Sequence, residues 1–274
     1  MRSHQRALIT GATSGIGAAF SSELSVHTDL LLTGRNNTRL EHARQRHARP
    51  QRLVRTVMAD LTQGPGLDTV VAEAEAFGID LLINNAGAGT LGRVIDNALD
   101  AELDAVRLNV TAVVALTRRL LPGMLARARN RGRRAGLIVV SSTAAFVPVP
   151  FLATYGASKA FELHFAEALA EELRGEPVDV LVLCPGATRT DFALRAGFNS
   201  GPIPGARDPR HVAREALQAI GRETVHISGT LSAATLSPAV LPRRALTGAL
   251  GLAMRIFGPN IRPTSDRNRT SRKA

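Results

Sequence analysis

The chain has 274 residues, an apolar share of 45%, a single cysteine and a formal charge of +11. This length suits one α/β domain with a sizeable core, and one cysteine excludes an internal disulfide and fits a reducing compartment. The histidines show no HxxxH or HxH spacing, which argues against a zinc site. No strongly apolar run of about 18 residues marks a membrane span, and the polar start, Met1 to Arg6, has no signal-peptide core behind it. The expectation is a cytoplasmic protein without a metal.

The positive charge is unevenly placed. From Arg243 onward there are eight basic side chains and one acid, Asp266, a net +7. Arg118 to Arg134 carries seven arginines and no acid. Neither run is interleaved with aromatics or set in a nucleic-acid-binding module, so both read as solvated surface and no nucleic acid is expected as a partner. No composition break marks a second domain, and the chain is read as a folded domain over 1–237 with an extension over 238–274 that the motifs below do not cover. Within the extension, Pro238 to Phe257 is apolar with three arginines. It is compatible with a cover over the site, a subunit contact or peripheral contact with a membrane surface. The last stretch, Pro259 to Ala274, reads as a basic disordered tail.

In chain order, Arg6 to Thr10 reads as a strand that runs into Thr10-Gly11-Ala12-Thr13-Ser14-Gly15-Ile16-Gly17, followed by a helix to about Val26. Strand, glycine turn and helix make the setting in which a dinucleotide pyrophosphate sits at a helix N-terminus. Candidate contacts are Gly11, Thr13, Ser14, Gly15, Ile16 and Gly17, in GxxxGxG spacing. The second strand, Asp29 to Thr33, ends in Gly34-Arg35 with no acid to grip a ribose diol. An arginine there suits the 2′-phosphate of NADP(H), which is expected over NAD(H). Ser14 and Asn36 are further donors.

The third strand, Leu53 to Met58, leads to Asp60 and Leu61; the fourth, Ile79 to Ile83, leads to Asn85, Ala86 and Gly87. A helical segment over Leu99 to Leu125 contains Asn109. The fifth strand, Gly136 to Val140, delivers Ser141 and Ser142. The sixth, Val178 to Leu183, delivers Pro185-Gly186, Thr188 and Thr190, and Thr224 to Ile227 reads as a seventh. Strands alternating with helices imply a doubly wound parallel sheet of Rossmann type. The motif residues all fall at strand C-terminal ends, where such sheets bind ligands.

Tyr155 is the only tyrosine, and Lys159 is one of two lysines in a chain that otherwise uses arginine. They open a segment of helical periodicity, Tyr155 to Arg174, and at i and i+4 they share a face. A cation about 5 Å from a phenol, at an effective dielectric of about 20, favours the phenolate by about 3 kcal/mol. That makes the hydroxyl a usable acid or base near neutral pH.

These pieces together resemble a classical short-chain dehydrogenase/reductase. The resemblance rests on TGATSGIG at 10–17, Asp60, NNAG at 84–87, Asn109, Ser142, Tyr155-x-x-x-Lys159, and Pro185-Gly186 with Thr190, and it covers about residues 6 to 192. It implies Tyr155 as proton donor to a carbonyl, or base toward an alcohol, and Lys159 as the group that acidifies it and bonds the nicotinamide ribose. It implies Ser142 as holder of the substrate oxygen and Asn109 as anchor of a water between Lys159 and solvent. Asp60 would lie near the adenine and Thr190 near the carboxamide, although loop capping explains Asp60 and Asn85 nearly as well. Subunits pairing through the helices near 99–125 and 155–174 as a homodimer or homotetramer also follow from the resemblance.

On the substrate side, Ala144 to Leu152 and Asp191 to about Arg207 carry Phe146, Val147, Val149, Phe151, Phe192, Leu194 and Phe198. Two readings stand: an apolar carbonyl or alcohol substrate, or loops packing on themselves. The Gly/Pro-rich stretch at 200–208 reads as a lid. A rival function is a catalytically silent module that senses NADP(H).

Overall fold

A computed structural model describes residues 4–146, 148–197 and 205–229. The extension at 238–274, Val147, Phe198 and most of the expected lid lie outside the described residues. The first half consists of β1 (Arg6–Thr10), α1 (Gly15–Glu23), β2 (Asp29–Gly34), α2 (Asn37–His47), β3 (Val54–Met58), α3 (Gly64–Phe77) and β4 (Leu81–Asn84). The second half runs α4 (Leu99–Val106), α5 (Ala112–Arg131), β5 (Ala135–Val140), α6 (Ala153–Glu172), β6 (Val178–Pro185), α7 (Phe192–Arg195), α8 (Pro209–Ala219) and β7 (Val225–Ser228). A π turn (Arg107–Thr111) joins α4 to α5, and a 3-10 turn (Thr143–Ala145) follows β5.

All seven strands pair in parallel, in the order β3-β2-β1-β4-β5-β6-β7. The central strands are buried on both faces, as continuous apolar runs such as Leu30-Leu31-Leu32 require. Their side chains still divide with a period of two. Leu8 of β1 packs into the layer formed with α3, α5 and α6, whereas Ala7 and Ile9 pack into the layer with α1, α2 and α8. This is the doubly wound sheet expected from the sequence.

Strand order reverses between β1 and β4, which opens a crevice at their carboxyl ends. Thr10 closes the base of that crevice. Its Oγ1 accepts from the backbone N–H groups of Asn85 and Ala86, each at 2.9 Å, and donates to Ile83 O at 3.3 Å. The loop after β4 is therefore tied to the start of the glycine turn.

Two helix readings change. The segment expected as one helix over 99–125 is α4 and α5 separated by the π turn, and α5 runs on to Arg131, where Gly132 stops it at φ 59°. A π turn carries one extra residue, which rotates Asn109 inward to full burial. Periodicity alone does not reveal such an insertion. Helix α6 begins at Ala153, a residue pair before Tyr155, so that Tyr155 sits inside the first turn. In the basic cluster at 118–134, Arg119, Arg127, Arg129 and Arg134 pair with Asp68, Glu75, Glu176 and Asp179. Much of that charge is balanced within the fold. Among the described residues no helix is long and apolar enough to cross a membrane.

Candidate active site

The glycine turn comes first because its shape is the most tightly dictated. Gly11 sits at φ +64°, a conformation costly for any residue with a Cβ. At Gly17 an added Cβ would lie 2.3 Å from Gly11 O and 2.5 Å from Asn85 Nδ2, so the helix can pack on the turn only through a glycine. Ser14 is the N-cap of α1 but gives no side-chain cap, and the first turn holds no acid. The N-terminal amides of α1 thus face the crevice without a side-chain partner, which is what a bound anion requires.

A cleft of ≈ 380 Å³ runs from this turn along the carboxyl edge of the sheet. Arg35, Asp60 and Leu61 line one end; Ser142, Tyr155 and Lys159 line the other. Of the residues expected at a cofactor, Gly11, Thr13, Ser14, Gly15, Ile16, Asn85, Ala86, Gly87, Thr188 and Thr190 also line it. Gly17 lies behind the wall rather than in it, for the packing reason given above. Asn109 lies behind it too.

The hydrogen bonds assign some of these side chains structural work. Asn85 Nδ2 donates to Thr10 O at 2.8 Å, latching the glycine turn to β4. Asp60 Oδ1 accepts from Thr62 N and Thr62 Oγ1, at 3.0 and 2.8 Å. Burial pushes the Asp60 carboxyl up, but these two bonds and nearby Arg35 prevail and hold it below the ordinary value. The capping alternative for Asp60 and Asn85 is therefore realised in the fold, while both still face the cleft. Asn36 Oδ1 accepts from Arg39 N at 2.8 Å and caps α2, which leaves its Nδ2, the donor expected at the cofactor, uncommitted by that bond. Ser14 Oγ accepts from Arg195 Nη1 at 3.3 Å, so α7 reaches across the turn.

Asn109 is held on three sides. Its Nδ2 donates to Ala88 O and Ser158 Oγ, both at 2.8 Å, and its Oδ1 accepts from Ala88 N at 2.9 Å. A Cβ added at Gly87 would lie 3.3 Å from Lys159 Nζ and 3.4 Å from Asn109 Oδ1. Both heads thus approach the space beside Gly87, without touching each other. Ser141 Oγ donates to Lys159 O at 2.7 Å, which fixes α6 against β5. Ser142 Oγ accepts from Ala144 N at 3.1 Å, which leaves its own hydrogen free to donate, and the residue lines the cleft.

The tyrosine ring is clamped. Phe192 packs on it with centroids 5.1 Å apart, and a Cβ added at Gly89 would come within 2.9 Å of Tyr155 Cδ2 and 3.1 Å of Phe192 Cζ, so the Gly89 backbone abuts both rings. Lys159 Nζ lies 5.8 Å from the ring centroid. The ammonium donates to Val140 O at 2.9 Å and to both carboxylate oxygens of Glu162, at 3.0 and 2.9 Å. Lysine and glutamate are 4% and 1% exposed. The sequence reading had Lys159 facing only phenol and ribose, and it missed Glu162. The signal was available, since positions 159 and 162 share a helix face. Burial works to lower Lys159, but the Glu162 carboxylate outweighs it and holds the ammonium above the ordinary lysine value. Burial pushes Glu162 up to about 7 in spite of Lys159. It also pushes the Cys184 thiol up, consistent with a small apolar residue.

Three loops build the side of the cleft where the sequence leads us to expect substrate. Leu91 N donates to Ala196 O and Gly92 N to Phe151 O, each at 2.9 Å. Glu102 Oε1 accepts from Thr90 Oγ1 at 2.7 Å and Asn97 Nδ2 at 2.6 Å, anchoring the first loop to α4. Phe151 stands at φ +66°, strained for an aromatic residue, beside the cleft mouth. Of the apolar residues expected here, Phe192 lines the cleft, Phe146 packs on the core, and Phe151 and Leu194 are exposed.

The pH dependence of stability follows from Glu162. Its ordinary value is 4.5 and its folded value is raised to about 7. A raised carboxyl contributes stability that is complete below the unfolded value and is lost as pH rises through the folded one. Urea unfolding of wild type and Glu162→Gln across this window is expected to show wild type losing stability relative to the variant between 4.5 and about 7, with no further change above. A difference that is flat with pH would contradict it.

The family model described as short chain dehydrogenase matches residues 5–197. Dehydrogenase/reductase SDR family member 7B of Xenopus laevis is 32% identical over 232 residues, covering 78% of this chain and 70% of the relative. A short-chain dehydrogenase from Sphingobium yanoikuyae, solved in complex with NADPH, superposes with a TM-score of 0.77 at 30% identity, covering 88% of this chain and 94% of that one. The bulky-bulky ketone specific alcohol dehydrogenase from Comamonas testosteroni gives 0.73 at 29% identity, covering 88% and 93%. Glycine turn, strand-end residues and sheet order agree with these likenesses over one continuous span, and the chain belongs to the short-chain dehydrogenase/reductase family of oxidoreductases.

Proposed function

We propose that this protein is an NADP(H)-dependent oxidoreductase that interconverts a carbonyl and an alcohol on an apolar substrate, with Tyr155 as its acid and base. The observation that carries the reading is that Ser142, Tyr155 and Lys159 line the same cleft as the glycine turn. When bound there, a nicotinamide supplies or takes the hydride. Ser142 donates a hydrogen bond to the substrate oxygen. In reduction the Tyr155 hydroxyl gives its proton to that oxygen, and the phenolate left behind is stabilised by Lys159 on the next turn. In oxidation the phenolate takes the proton back. Asn109 orders a water on the route from Lys159 to solvent, a part supported by the approach of its Oδ1 and of Lys159 Nζ to the space beside Gly87. A silent sensor of the nucleotide would have no use for the full set, and no observation favours it.

The preference for NADP(H) is supported by Arg35 at the cleft and by the lack of an acid at the end of β2. The NADPH held by the Sphingobium relative agrees with it. An apolar, bulky substrate is supported by Phe192 against the tyrosine ring and by the ketone named for the Comamonas relative. Self-association is supported by α4 and the loop before it, where Ile95, Leu99, Leu103 and Val106 form an exposed apolar stripe at helical spacing.

Three measurements test these statements. With aromatic ketones as probes and NADPH absorbance as readout, Tyr155→Phe is expected to lose about 10²- to 10⁴-fold in kcat while still binding NADPH. Turnover within a few-fold of wild type would remove the tyrosine from the chemistry. Arg35→Ala is expected to lower kcat/KM for NADPH by about 10- to 100-fold, the worth of a charge-assisted contact, and to leave NADH nearly unaffected. Equal losses with both cofactors would refute the 2′-phosphate contact. By light scattering, Leu103→Glu is expected to shift an oligomer toward monomer, and an unchanged mass would exclude this face as the subunit contact.

A further inference from the structure

The acid-base reading uses Ser142, Tyr155, Lys159 and Asn109 and assigns no part to the buried carboxyl that bonds the lysine. Glu162 lies one turn beyond Lys159 on α6, is 1% exposed, and bonds the lysine ammonium through both carboxylate oxygens, at 3.0 and 2.9 Å. Its chain neighbours Phe161 and Leu163 are apolar, and Leu163 belongs to the core that α6 forms with β5 and β6. Taking a carboxylate into such a layer costs several kcal/mol, which its attraction to a cation only offsets.

The consequence is electrostatic. An unbalanced ammonium beside a phenol stabilises the phenolate, and a carboxylate on the far side of that ammonium cancels part of the field. We propose that Glu162 is a positioning residue that holds Lys159 against Val140 O and balances its charge, thereby setting how readily the Tyr155 hydroxyl releases its proton. The inference deepens the acid-base reading of Tyr155 and rests on it.

The surroundings leave Glu162 as the nearest countercharge. Tyr155, Lys159 and Glu167 are the other titratable groups on its side of α6, and Cys184 faces it from β6. Strand β5 and the 3-10 turn contribute no titratable side chain. On α4, Glu102 is engaged with Thr90 and Asn97, and Asp104 pairs with Arg107 of the π turn at the surface. Burial raises Glu162 to about 7, so above that pH the carboxylate is ionised and the Lys159–Glu162 pair carries no net charge.

The chain offers an unusually clean readout, because it has one tyrosine and no tryptophan. Tyrosinate absorbance in the near ultraviolet therefore reports Tyr155 alone, with no substrate needed. The experiment is a spectroscopic pH titration of the full-length protein as wild type, Glu162→Gln, Glu162→Met and Glu162→Asp, with Tyr155→Phe as the blank and circular dichroism to confirm folding. Removing the carboxylate charge is expected to move the tyrosinate midpoint down by about one pH unit in the Gln variant. The Met variant, apolar and of similar length, is expected to move the same way, and Asp, which keeps the charge, to stay near wild type. A midpoint that is unmoved or raised in whichever neutral variant folds, or moved equally in Asp, overturns the proposal. Failure of the underlying reading looks different: Tyr155→Phe would then retain turnover whatever the Glu162 titrations show.

Discussion

The site depends on one geometric constraint: every strand of the sheet points the same way, so the carboxyl ends of β1, β4, β5 and β6 meet at a single edge. Parallel strands require crossover helices, and those helices return the chain to the opposite edge before each strand begins. Functional residues 175 positions apart in sequence, such as Gly11 and Gly186, thereby come to line one cleft. Thr10 makes the constraint local. One hydroxyl accepts two backbone N–H groups from the loop after β4, so the glycine turn and the Asn85–Gly87 loop have fixed relative positions.

On this rigid edge the protein installs groups whose burial is unfavourable. Lys159 and Glu162 are a charged pair inside an apolar layer, and a pair of well-packed apolar side chains would serve stability at least as well. What the pair supplies is a fixed cation one turn from a phenol. The tyrosine ring is packed by Phe192 and the Gly89 backbone, and the lysine is held by Val140 O and Glu162. On the proposed acid-base reading, preorganisation of this kind removes reorganisation from the chemical step. The side proposed to face substrate is built differently, from three loops joined by a few backbone bonds and one carboxylate, Glu102. Contacts of that kind open more easily than a packed sheet.

Much of the fold was legible because its signals are local. Leu30 to Thr33 and Leu137 to Val140 are short apolar runs bounded by turn residues, and their alternation with helical stretches names a parallel sheet. The glycines at 11 and 17 were legible because no other residue fits a positive φ or a contact of 2.3 Å. The π turn was not legible, since an inserted residue leaves hydrophobic spacing almost unchanged while rotating Asn109 from a helix side into the core. Asn36 has a second part that its donor chemistry did not announce: an asparagine before a helix can also cap it, and α2 takes its Oδ1 in that way.

The sequence by itself determined the order of strands and helices, the glycine turn, and the placing of Tyr155 and Lys159 on one helix face, because each follows from spacing along a regular element. Only the tertiary structure decided what those side chains meet. That the lysine is shared with Glu162 and Val140, that Phe192 lies on the tyrosine ring, and that Asn85 holds the turn are consequences of packing between elements far apart in the chain. Periodicity specifies which way a side chain faces; the partner waiting there is set by how the layers close.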